Sequence, residues 1–171
     1  MDNKLEIKTY VSNFIPELGY LTHEEKEYLI IQSDLAEKAA VKLLQYEGNY
    51  LPGKIEVVYK GKVFSPDLTV TDDLLDLWYD LSIVLNEHAS SACYNISLLD
   101  YPYELTINKE IDRYQFIFKE QNTEAINKSD TFTKEELLGA IDSGFKIFVN
   151  FVKSDTLKFG EETIIEEFLK K

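Results

Sequence analysis

The stretch Thr71–His88, TDDLLDLWYDLSIVLNEH, constrains the fold of this chain more than any other. Leu74, Leu77, Trp78, Leu81, Val84, Leu85 and His88 recur at steps of three and four, which predicts one apolar face of a helix. Thr71 is a suitable N-cap, and Asp72 and Asp73 stand where the helix dipole favours negative charge. Asp76, Asp80 and Glu87 fall off the stripe and continue an acidic edge from Asp72, with Tyr79 and Ile83 beside it. The stripe carries the only Trp of the chain. A face this large has to be covered, and the remaining segments read as its cover.

Leu5, Ile7, Thr9 and Val11 alternate with polar residues and predict a strand buried on one face. Thr22 with Glu25 spells a capping box and predicts a helix start, although Tyr28 to Ile31 reads equally well as a short strand. Asp34 with Glu37 spells a second box. After it, Leu35, Ala36, Ala39, Ala40, Leu43 and Leu44 form a narrow helical stripe that Gly48 ends. Pro52-Gly53 reads as a turn. Lys54 to Phe64 reads as a hairpin closed by Lys60-Gly61, with Pro66 ending its second strand.

Three more strands are expected beyond the Trp78 helix, at Cys93–Leu99, Tyr103–Ile107 and Tyr114–Lys119. Asp100-Tyr101-Pro102 turns between the first two, and Glu120 to Asp130 reads as a polar loop. Thr133 and Glu136 form a capping box for a helix from about Lys134 to Lys153, striped by Leu137, Leu138, Ile141, Phe145, Phe148, Val149 and Val152. Gly139 and Gly144 each weaken that helix by about 1 kcal/mol relative to Ala. A last helix is expected over Glu161–Lys170. Strands joined by short turns favour antiparallel pairing. The expected fold is therefore α+β: an antiparallel sheet of about five to six strands covered by amphipathic helices, a single domain over residues 1–171.

Thirty-one acidic against 18 basic residues give a net charge of −13. Such a chain is repelled by nucleic acid and by anionic lipid and attracted to basic proteins. The one cysteine, Cys93, rules out an intramolecular disulfide. MDNKLEIKTY lacks the apolar core of a signal peptide, and no apolar run reaches the roughly 18 residues of a membrane span. A cytoplasmic protein without cofactor is expected, and the sequons at Asn95 and Asn127 then carry no meaning.

Asp72-Asp73-Leu74-Leu75-Asp76 matches the DDxxD spelling with which terpenoid synthases hold magnesium and diphosphate, since it sets carboxylates one turn apart. Those enzymes are long and all-helical, whereas this chain is short and rich in strands, so first-turn helix charges are the simpler reading. His88, Ser90, Ser91 and Cys93 cluster in sequence, but a thiol nucleophile needs a base and an orienting group. His23 and His88 are the only histidines, and His88 reads as a core or helix-end residue and Cys93 as a buried strand residue. The scattered glycines form no phosphate loop. What remains is the acidic edge Asp72, Asp76, Asp80 and Glu87 with Tyr79, and a second cluster of Asp100, Tyr101, Tyr103 and Glu104. Acidic and aromatic side chains together suit protein contacts.

The blocks GKIEVVYKGKVFS, LLDLWYDLSIVL, YPYELTI, YQFIFKE and FTKEELLGAIDSGFKIFVNFV, spanning about Gly53 to Val152, resemble in layout, size and acidity the small cytosolic immunity proteins of bacterial toxin–immunity systems. The resemblance implies a non-enzymatic protein that binds a basic toxin domain, one with a nucleic-acid-binding cleft such as a nuclease has, and blocks it. It transfers no inhibitory residue. A different expectation is a small regulatory or scaffold protein that forms homo-oligomers through an apolar helix such as Phe145 to Phe151. An enzyme working through paired carboxylates is the third.

Overall fold

Alternation along the first strand places Leu5, Ile7, Thr9 and Val11 inward and leaves Glu6 exposed. The computed structural model describes residues 4–65, 72–98 and 103–160. In chain order the elements are β1 (Leu5–Ser12), β2 (Phe14–Ile15), β3 (Gly19–Tyr20), β4 (Tyr28–Ile30), α1 (Asp34–Glu47), β5 (Pro52–Tyr59), β6 (Lys62–Val63) and β7 (Asp72–Asp73). They continue with α2 (Leu74–Asn86), β8 (Cys93–Ile96), β9 (Tyr103–Glu110), β10 (Arg113–Glu120), β11 (Ile126–Lys128) and α3 (Lys134–Val152).

The α+β class is observed, but the strands do not form one sheet. Among the described residues, β4-β1-β5-β6 with β7 beside β5 make a five-stranded sheet, β11-β10-β9-β8 a four-stranded one, and β2-β3 a separate hairpin. Each described pairing is antiparallel. The division falls at α2: strands before it pair among themselves, as do strands after it. A sequence shows where strands begin and turn, not which edge each one joins. The sheets meet through side chains. Phe132 bridges to Tyr114 by backbone and sets its ring against Tyr59 (centroids 5.0 Å apart) and Phe116 (6.1 Å).

The core lies between these sheets and the helices. Trp78 of α2 is fully buried, stacks on Phe148 at 5.8 Å and donates its indole N–H to Thr9 Oγ1 at 3.1 Å. One residue thus joins α2 to α3 and β1. Gly144 makes room for it: a Cβ there would stand 2.5 Å from the Trp78 ring and 3.2 Å from the Ile7 carbonyl. Phe145, Ile147, Val149 and Phe151 of α3 are half-buried against the core. Among the described residues, no helix is long and apolar enough to cross a membrane.

Several local expectations are corrected. Pro52-Gly53 is not a turn but opens β5, with Gly53 opposite Val11. A Cβ at Gly53 would collide with the Tyr10 carbonyl and stand 2.6 Å from Leu74 Cδ1, so the glycine serves close approach rather than chain reversal. Thr22 starts no helix. The buried Asn13 takes over that loop instead, its Nδ2 donating to the Glu24 and Lys26 carbonyls at 2.7 and 2.9 Å. Ser33, not Asp34, caps α1. Glu37 is drawn away by the hydroxyls of Ser154 and Thr156, which hold its carboxyl below the usual range. The stretch Glu120 to Asp130 contains β11. The N-cap of α2 is Asp73 rather than Thr71, and Asp72–Asp73 form β7 instead of the first helical turn, because they pair with Pro52 and Gly53. Pro66, the Asp100-Tyr101-Pro102 turn and the helix expected over Glu161–Lys170 lie outside the described residues. The expected stripe of α1, the Lys54–Phe64 hairpin and the Thr133–Glu136 capping box are observed.

Candidate functional site

The acidic edge begins at the cap of α2. Asp73 is the N-cap, its Oδ1 accepting from Leu75 N at 3.2 Å and from Leu51 N at 3.3 Å. This carboxylate of the DDxxD spelling is therefore engaged with backbone amides, the ordinary work of an N-cap. Asp72 is described in its backbone alone. Among the described residues, no group of three or more His, Cys, Asp or Glu side chains is placed to hold a metal ion.

One turn on, Asp76 is half-buried. Desolvation, and secondly the negative charge of Asp80, hold its carboxyl above the usual carboxylate range. Asp80, a further turn along, accepts the Ser97 backbone N–H at 2.7 Å, tying α2 to the chain just past β8. Tyr79 is half-buried against the core. Glu87, which follows the helix, is exposed and accepts from Ser91 Oγ at 3.1 Å. The ion pairs among the described residues are Lys26–Glu24, Lys54–Glu56 and Lys146–Asp142, so neither Asp76 nor Asp80 has a cationic partner there.

The second cluster divides. Tyr103 is 7% exposed, on the inner face of β9 with Leu105 and Ile107, and is a core residue rather than a surface one. Glu104 points outward, directly across from Lys119 of β10. Asp100 and Tyr101 lie outside the described residues. The structure nonetheless links the α2 edge to a groove that Glu104 lines. Ser97, held by Asp80, lines an open groove of about 470 Å³ with Asn95, Leu98, Tyr103 and Glu104. Ser97 is seventeen residues from Asp80 in sequence, and no spacing rule links them.

Two expectations near this site are overturned. His88 does not extend the α2 stripe: it follows the helix with φ +50° and is exposed. Cys93 is exposed rather than buried, because the alternation of β8 sends Tyr94 and Ile96 inward in its place. Comparison of the chain with protein-family models, curated proteins and solved structures gives no match.

Proposed function

We propose that this chain is a non-enzymatic binding protein that neutralises a basic protein partner, in the manner of an immunity protein blocking a cationic toxin domain. The observation that carries the reading is the α2 edge: Asp76 is half-buried beside Asp80, and neither has a cationic partner among the described residues. Bringing two carboxylates together with partial loss of water opposes folding, and a cation delivered by a partner relieves it. Through the Asp80–Ser97 bond the edge continues into the groove beside Glu104, so one partner can contact both. The net charge of −13 adds long-range attraction for such a partner and raises the rate of encounter.

The test is capture of partners from lysate of the native organism by the tagged chain, washed at low and at high salt, for wild type and for Asp76→Asn. One stoichiometric basic protein retained through high salt by wild type, and bound about tenfold or more weakly by the variant, is expected. Equal retention by both removes the α2 edge from the account. Nothing retained even at low salt, where charge attraction is least screened, removes the partner.

A further inference from the structure

The tip of the β9–β10 hairpin carries an isoleucine that the core does not use. Glu110 pairs with Arg113, so Ile111 and Asp112 form a two-residue turn. The first position of such a turn needs a positive φ and is the usual place of Gly or Asn. Ile111 takes it with φ +58°, a strained backbone for a β-branched side chain. That side chain is 91% exposed. Its acidic neighbours, Glu110 and Asp112, are exposed and have no cationic partner among the described residues. The nearby cations are engaged elsewhere. Arg113 donates to Thr131 Oγ1 at 2.8 Å and to the Thr131 carbonyl at 2.7 Å, and Lys109 Nζ stands 5.9 Å from the Tyr114 ring centroid. The tip is therefore an apolar knob flanked by negative charge.

The same molecule holds a groove of the opposite character. It is open, about 490 Å³ in volume, with Leu21, Leu35 and Val41 as its apolar lining and Lys38, Lys42 and His23 beside them. No carboxylate lines it, and neither lysine has an acidic partner among the described residues. Lys42 Nζ donates to the Leu21 carbonyl, which holds its charge at the groove. We propose that this groove receives the Glu110–Ile111–Asp112 tip of a second copy of the chain. Ile111 leaves water against Leu21, Leu35 and Val41, while Glu110 and Asp112 come beside Lys38 and Lys42. Copies with a net charge of −13 repel at a distance. At about 0.15 M salt that repulsion is screened beyond roughly 8 Å, and close opposite pairs persist. Tip and groove are different patches, so the contact is heterologous and adds copies in series. No residue of the Asp76–Asp80 edge belongs to either patch, so the inference stands apart from the function proposed above.

The experiment is sedimentation of the full chain from about 10 µM to about 1 mM, a range that covers weak contacts of small area. Wild type is expected to grow in mass with concentration, whereas Ile111→Asn and Lys38→Glu each self-associate at least tenfold more weakly. An equimolar mixture of the two variants keeps one tip and one groove intact. It is expected to give a 1:1 dimer that neither variant forms alone. Asp76→Asn is expected to associate as wild type does. In dilute solution Ile111→Asn should melt no lower than wild type, because asparagine accepts a positive φ more readily. A single monomeric species up to about 1 mM wild type overturns the inference. So does a mixture that stays monomeric, or association that survives Ile111→Asn. A lower melting temperature for that variant makes the isoleucine a folding residue and overturns it too. Association lost in Asp76→Asn overturns it as well, by moving the contact to α2.

Discussion

The two sides of α2 are made of the same thirteen residues and held in opposite ways. On the inner side, Trp78 is enclosed by Phe148, Phe145 and the gap at Gly144, with its one polar atom bonded to Thr9. Packing there leaves little freedom: rings, glycine and hydroxyl fit as a set. On the outer side, Asp76 and Asp80 repel each other, and among the described residues Asp80 is given a hydrogen bond by Ser97. The inner face fixes where the helix lies, whereas the outer face bears two carboxylates with no cationic partner among the described residues. A helix anchored firmly on one side can carry an unfavourable feature on the other.

The largest effect expected is at the anchor. Trp78→Ala removes a fully buried ring and leaves the Thr9 hydroxyl without its donor, and should cost roughly 3–5 kcal/mol in a denaturant melt. A cost below about 1 kcal/mol would erase the distinction between the two faces. Next come the two glycines of α3, which the comparison predicts to respond with opposite sign. Gly144→Ala drives a methyl against a rigid, enclosed indole and should destabilise by about 1–3 kcal/mol despite the better helix propensity. Gly139 has open space where a Cβ would go, so Gly139→Ala should stabilise by about 0.5–1 kcal/mol. The same sign at both positions would mean that Trp78 does not press on Gly144.

The smallest effect tests the outer face. The folded carboxyl of Asp76 titrates above its unfolded value, so the folded state holds the proton more tightly. Stability from this group is present below the ordinary carboxylate range and lost as pH rises through the raised value. Asp76→Asn removes that loss. Urea melts at a series of pH values should show the variant gaining on wild type as pH rises from the acidic range to neutrality. A difference that does not vary with pH would show that the carboxylate is not strained.

Much of the local structure was legible because local rules govern it. The three-four spacing of Leu74, Leu77, Trp78, Leu81 and Val84 gave a buried helix face, and the alternation of β1 gave its inner face. Thr133 and Glu136 lie within one turn, and their capping box needed nothing distant to form. The failures share a cause. Thr22 and Glu25 have the same spelling as that box, but Asn13 offers the backbone a better arrangement across the chain. The acidic edge was legible as charge at helical spacing, while its link to Glu104 was not, because it runs through a backbone amide at Ser97.

By itself the sequence determined the helix faces, the inward face of β1 and the acidic excess, since periodicity and composition act through neighbours a few residues apart. Only the tertiary structure decided that the strands form two main sheets, that Gly53 and Gly144 are close-approach positions, that Tyr103 is core, and that Asp76 is half-buried. Each of these depends on which distant atoms arrive at a site. That is set by how apolar faces are shared among all elements at once, not by any one segment's pattern.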